Sequence, residues 1–89
     1  MKVKVKYTSP LIRLTLKPEE FLYLPDDSKI SDLLSSLSSK YGDELYNLIF
    51  NEEKQELKVS VMVNNKASNI ESCLSEGDEI IFIIFMGGG

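Results

Sequence analysis

The run Ile80-Ile81-Phe82-Ile83-Ile84-Phe85-Met86, followed at once by Gly87-Gly88-Gly89, constrains this chain more than any other stretch. Strand side chains alternate between two faces, so an unbroken apolar run presents Ile80, Phe82 and Ile84 on one side and Ile81, Ile83 and Phe85 on the other. Such a strand belongs in the middle of a sheet, with both faces covered. The glycines that follow carry no side chains and end in an α-carboxylate, an arm thin enough to enter a cleft closed to ordinary residues. A frayed terminus has the same composition, so the weight of the tail depends on the rest of the chain.

With 89 residues the chain has room for one domain, one modest core and a binding surface rather than a deep catalytic cleft. Its apolar content of 43% is that of a globular domain. The excess of 14 acidic over 10 basic residues argues against a general nucleic-acid binder. Lys2, Lys4 and Lys6 alternate with Val3, Val5 and Tyr7, which reads as a strand with a solvated basic face. A single cysteine, Cys73, excludes an intrachain disulfide and gives no support to a cysteine-rich metal site; the ordinary expectation for it is a buried or inert thiol. The first residues lack the apolar core of a signal peptide, and no stretch reaches the ~20 apolar residues of a membrane span. The expectation is a soluble, cytoplasmic protein with no membrane partner.

Taken in order, Met1 to Thr8 reads as a strand with Val3, Val5 and Tyr7 inward, ended by Ser9-Pro10. Leu11 to Lys17 fits either a helical turn or part of a hairpin. Phe21 to Leu24 reads as a second strand, and Pro25-Asp26-Asp27-Ser28 as a turn in which Asp27 or Ser28 is available to cap a helix. That helix spans Lys29 to Tyr41, because Ile30, Leu33, Leu34, Leu37 and Tyr41 fall on one stripe, and Gly42 is placed to stop it. Asp43 to Phe50 can add a further turn. Asn51 to Glu56 reads as a charged loop with Glu52, Glu53 and Glu56 solvated. Leu57 to Val63 reads as a third strand with Val59, Val61 and Val63 inward and Met62 outward. Asn64-Asn65 suits the positive backbone angles of a tight turn, Ile70 and Leu74 suit core positions, and Ser75-Glu76-Gly77-Asp78 is turn chemistry before the last strand.

This order fits an α+β domain in which one mixed sheet of four or five strands packs on one main helix. One helix covers one face. The other is left with Met62, Ile81, Ile83, Phe85 and Met86 as an apolar patch beside the lysines of the first strand, a surface for a partner or equally for a homodimer.

The motifs Val63-Asn64-Asn65-Lys66 and Leu74-Ser75-Glu76-Gly77-Asp78-Glu79-Ile80, a terminal Gly88-Gly89 at the expected distance, and the turn into the helix from Pro25 to Leu34 together resemble the ubiquitin-like β-grasp sulfur carriers. The resemblance extends over nearly the whole chain and is strongest to the small subunit of molybdopterin synthase (MoaD) and its modifier-like relatives. The chain departs from them before the tail, where the family commonly places prolines and a small aliphatic residue and this sequence has Ile84, Phe85 and Met86. The resemblance implies a sheet with adjacent, parallel first and last strands, and a division into residues 1–86 as the β-grasp body and 87–89 as a flexible glycine tail.

It also implies that the chemistry lies at Gly89. An E1-like enzyme uses ATP to form the acyl-adenylate of Gly89, and a sulfur donor converts it to a thiocarboxylate, with Gly88 beside it in the channel and Gly87 extending the reach. The carrier itself is then no enzyme and binds no cofactor stably. Its partners are the activating enzyme, the sulfur donor and, in the molybdopterin branch, the large subunit of molybdopterin synthase. Gripping would fall to Met62, Ile81, Ile83, Phe85, Met86 and Gly87. A sulfur carrier serving molybdopterin or a related biosynthesis is the leading expectation; a modifier conjugated to lysines through the same tail, and a noncatalytic β-grasp binding module, are the alternatives.

Overall fold

A computed structural model describes residues 1–84 of the chain. Strand β1 (Lys2–Lys6) is followed by a short helix α1 (Ser9–Thr15) and strand β2 (Glu19–Tyr23). Helices α2 (Ile30–Tyr41) and α3 (Asp43–Ile49) come next, then β3 (Phe50–Asn51), β4 (Glu56–Leu57), β5 (Ser60–Val63), β6 (Lys66–Ser68) and β7 (Glu79–Ile83). The five-stranded sheet has the order β2-β1-β7-β5-β6, and β3 with β4 forms a separate two-stranded arm. Strands β1 and β7 are parallel, while β2 on one side and β5 and β6 on the other pair antiparallel. This is the mixed α+β sheet on one main helix expected from the sequence, with β7 at its centre.

Burial rather than intrinsic propensity makes α2 a helix. Its sequence ISDLLSSLSSKY contains five serines, each about 0.5 kcal/mol worse than alanine in a helix. Ile30, Leu33, Leu34 and Leu37 are all buried, and full burial of such side chains is worth about 1.5–3 kcal/mol each. The apolar stripe outweighs the serines. It shares one core with Val3, Val5, Val61, Ile80 and Phe82, all at most 2% exposed.

The start of α2 differs from expectation. Neither Asp27 nor Ser28 caps it: Lys29 is the N-cap residue, and its backbone N–H donates to Asp32 Oδ2 at 2.8 Å. Ser28 is buried and its hydroxyl donates instead to the Pro25 carbonyl at 2.7 Å, while Asp27 takes a positive φ of 67°. The tight turn leading in from β2 uses both residues before the helix begins. Gly42 ends α2 with φ 90° and ψ −178°, a conformation that simultaneously starts α3.

One open segment is decided by the structure, and two further expectations differ. Leu11–Lys17 resolves into helix: α1 begins after Thr8, has Pro10 in its first turn, where the missing N–H costs nothing, and ends at Leu16 with φ 61°. The expected strand Leu57–Val63 is broken, because Glu56–Leu57 pairs with β3 and only Ser60–Val63 joins the main sheet. Val59 and Val61 are buried as expected, but Val63, near the sheet's end, is only partly covered. Cys73 is exposed, not buried.

The edge of the sheet is tied to α2 by a carboxylate. Glu20 points inward from β2 with its side chain 6% exposed, and accepts hydrogen bonds from Tyr7 Oη at 2.5 Å, Tyr41 Oη and Lys40 Nζ, with Lys17 Nζ at 3.8 Å. Burial alone would raise its pKa, but the bonds from Lys40, Tyr41 and Tyr7 outweigh that and hold it below the usual carboxylate range. The same burial, together with the Glu20 contact, pushes the Tyr7 hydroxyl well above its ordinary value.

Candidate functional site

Two neighbouring strands fix the path of β7 toward the C-terminus. Val5 pairs with Ile80 and Lys6 with Ile81 on the parallel side, and Phe82 pairs with Val61 and Ile83 with Ser60 on the antiparallel side. The Thr8 hydroxyl adds a bond to the Phe82 carbonyl at 2.9 Å, just before the chain leaves the sheet. The upstream end is equally held. Gly77 turns with φ 83°, Asn64 Nδ2 donates to Asp78 Oδ1 at 2.8 Å, and the Glu79 N–H donates to Asn64 Oδ1 at 2.9 Å. Direction and position of β7 are therefore set by the body of the domain.

The two faces of β7 separate as the alternation requires. Ile80 and Phe82 are 0% exposed and face the core with α2; Ile81 and Ile83 lie half-buried on the face away from it. Met62 stands opposite Ile81 in register, and Ala67 stands opposite Met62. The expected patch residues Met62, Ile81 and Ile83 are thus brought together on the open face. Phe85, Met86 and Gly87 of the same expectation, and Gly88 and Gly89, lie outside the described residues.

Charged pairs flank this patch. Lys6 Nζ lies 2.9 Å from Glu79 and Lys4 Nζ 2.9 Å from Glu19. The hydrogen bond between Lys6 and Glu79 raises the lysine pKa and lowers that of the carboxylate, so both stay ionised at neutral pH. Lys2 Nζ sits 4.3 Å above the ring of Phe21. The open face therefore carries an apolar strip over β7 and β5, bordered by compensated charge over β1.

Sequence reasoning missed two aromatic residues on this face, Phe21 at 53% and Tyr23 at 75% exposed. Their alternation with buried Leu22 and Leu24 was the available signal. It also missed Glu20, since a glutamate in a strand gives no sign of the two tyrosines and two lysines that converge on it. Among the described residues, no group of three or more His, Cys, Asp or Glu side chains is placed to hold a metal ion, and no helix is long and apolar enough to cross a membrane.

The sequence model of the ThiS family matches residues 5–89 of the chain. Among solved structures, small archaeal modifier protein 1 of Methanosarcina acetivorans is 28% identical with a TM-score of 0.75, over 99% of this chain and 96% of that one. A protein of Pyrococcus furiosus assigned as molybdopterin converting factor, subunit 1, is 25% identical with a TM-score of 0.78, over 94% and 98% of the two chains. Small archaeal modifier protein 1 of Haloferax volcanii matches in fold, with a TM-score of 0.85 and 20% identity over 100% of both chains. Comparison with curated proteins returned no significant match. The matched family consists of carriers and small subunits rather than free-standing catalysts. The family model over residues 5–89, together with a mixed sheet on one main helix in which the last strand is central, makes this chain a member of the ThiS family, within the ubiquitin-like β-grasp sulfur carriers.

Proposed function

We propose that this protein is a ubiquitin-like modifier, activated at Gly89 and joined through it to lysines of target proteins. The observation that carries the reading is the placement of β7, the central strand, held on both sides and leading toward Gly87-Gly88-Gly89. A fixed take-off point narrows the search of the terminal carboxylate for a reacting geometry, and the absence of side chains on the last residues permits close approach. Likeness to small archaeal modifier protein 1 at 28% identity supports conjugation over the sulfur-carrier role expected first from the sequence.

The partners follow from the chemistry. A carboxylate is a poor electrophile, so an E1-like enzyme supplies ATP: a Gly89 carboxylate oxygen attacks the α-phosphorus and pyrophosphate leaves. A lysine amine then attacks the carbonyl carbon, the amide forms, the bond to AMP breaks, and the amine proton passes to solvent. Met62, Ile81 and Ile83, continued by Phe85, Met86 and Gly87, form the surface the activating enzyme holds, while Gly88 and Gly89 enter its channel. Residues 1–86 act as the body and 87–89 as the reacting arm, and ATP belongs to the partner.

The second reading keeps the same activation and differs in the attacking group. A donor supplying sulfide-level sulfur attacks the carbonyl carbon as hydrosulfide, the bond to AMP breaks, the proton passes to solvent, and a thiocarboxylate remains on Gly89 for a biosynthetic complex, such as one with the large subunit of molybdopterin synthase. The family model and the likeness to the Pyrococcus furiosus subunit favour it. Mass spectrometry of the protein from its own cells separates the two. Branched peptides carrying this chain's glycine end on a lysine establish conjugation; an intact mass raised by one oxygen-to-sulfur exchange establishes the carrier role. An unmodified carboxylate throughout, with no adducts, would refute both.

A further inference from the structure

The outer edge of the sheet is an open strand with a polarity of its own. Met1 and Leu24 exchange two backbone hydrogen bonds, the Met1 ammonium donating to the Leu24 carbonyl at 2.6 Å and the Leu24 N–H to the Met1 carbonyl at 2.8 Å. At the other end the Tyr7 N–H donates to the Pro18 carbonyl at 2.8 Å. In an antiparallel ladder such bonded pairs alternate with unbonded ones. Leu22 and Glu20 therefore turn their backbone groups toward β1, and Glu19, Phe21 and Tyr23 turn theirs outward from the sheet. An unpaired row of N–H and C=O groups is a template for another strand.

The two flanks of that edge differ in character, one aromatic with compensated charge and one rimmed by carboxylates. On the open face stand Phe21 and Tyr23, with the lysines of β1 behind them and Lys2 directly over the Phe21 ring. On the helix face, next to Tyr23, a groove of about 500 Å³ is bordered by Asp26, Asp27, Asp32, Ser35 and Ser39, all exposed. Asp26 has the chain's own ammonium at 3.5 Å and Asp32 takes the Lys29 N–H; none of the three aspartates is bridged to a lysine or arginine among the described residues.

We infer that β2 accepts an added strand from a partner protein, an extended peptide of alternating apolar and basic residues. Its apolar side chains lie against Phe21 and Tyr23, and its basic side chains lie over the aspartate-rimmed groove beside α2. Main-chain bonds to Glu19, Phe21 and Tyr23 supply affinity, and the alternation supplies selectivity. A second copy of the chain fits less well: its β2 has the sequence EEFLY and carries no basic side chain to offer the groove. The surface lies at the β2 edge, away from β5, and does not depend on the reading of Gly89.

The test uses the full chain with a short, end-capped peptide of alternating arginine and valine as the probe. Titration followed by amide chemical shifts and hydrogen exchange is expected to give saturable binding, with the Glu19, Phe21 and Tyr23 amides protected at least tenfold. A peptide with glutamate in place of arginine is expected to bind at least tenfold more weakly. Phe21→Pro removes an outward N–H without touching the ladder to β1, and should abolish the protection while the melting transition is retained. Should that variant unfold, the pair Asp26→Lys and Asp27→Lys should weaken the arginine peptide at least tenfold. Absence of saturable binding, equal affinity for the glutamate peptide, or protection at β6 instead would overturn the proposal. So would concentration-dependent dimerisation that protects the same amides without any peptide.

Discussion

The Tyr7 hydroxyl donates a 2.5 Å hydrogen bond to the carboxylate of Glu20, and that bond joins the residue just beyond β1 to the strand at the sheet's edge. Tyr41 and Lys40, from the last turn of α2, reach the same carboxylate. Glu20 thus fastens the edge strand to the C-terminal end of α2.

Replacing Glu20 with alanine leaves the Tyr7 hydroxyl without its partner inside the fold, and is expected to cost about 1–3 kcal/mol in denaturant melts at neutral pH. The pH dependence has a defined sign. The folded-state pKa of Glu20 lies below the ordinary 4.5, so its contribution is present above that value and is lost as pH falls through the folded pKa. Tyr7 is shifted upward from 10.0, so its contribution is present below 10 and is lost as pH rises toward the folded value. Glu20→Gln should flatten the acid limb of the stability profile; an unchanged acid limb would refute the role given to Glu20.

Removal of Gly88 and Gly89 should leave the melting transition within about 0.5 kcal/mol of the full chain, because the core from Val3 to Phe82 is assembled among residues that precede them. Adenylation by the activating enzyme, read as ATP–pyrophosphate exchange, should vanish. Retained exchange in the truncated chain would place the reacting carboxylate elsewhere.

The two faces of β7 and β5 should respond differently. Phe82→Ala is expected to cost about 3–5 kcal/mol and Val61→Ala about 1–3 kcal/mol, since both side chains sit in the close-packed core. Ile81→Ser and Met62→Ser should cost about 1 kcal/mol or less in stability while weakening the activating enzyme about tenfold in binding isotherms. Equal stability losses with unchanged affinity would reject the open face as the gripping surface.

Asn64 and Asn65 adopt φ of 50° and 68° between β5 and β6. Glycine accepts such angles without strain, so Asn65→Gly should be neutral or stabilise by up to about 1 kcal/mol. Asn64→Ala keeps the unfavourable angle and loses both side-chain bonds to the turn before β7, and should cost about 1–2 kcal/mol by thermal melts.

Much of this architecture was legible in local pattern. The leucine stripe of α2, the alternation of β1, the Asn64-Asn65 turn and the double-sided apolar run of β7 each carry a period or a backbone requirement that few conformations satisfy. The breaks were less legible. Whether Leu57 to Val63 is one strand or two depends on β3, a partner only two residues long, and whether Leu11 to Lys17 coils depends on what covers Leu11.

By itself, then, the sequence determined which residues are apolar at which spacing, where the chain must turn, and that it ends in glycine. Periodicity and steric limits on the backbone are local, so they can be read without a fold. Only the tertiary structure decided that Glu20 is held by Tyr7, Lys17, Lys40 and Tyr41, that Met62 faces Ile81 across a strand boundary, and that the β2 edge is open. Those relationships join residues distant in the chain, and they exist because the packing of α2 on the sheet fixes register and exposure together.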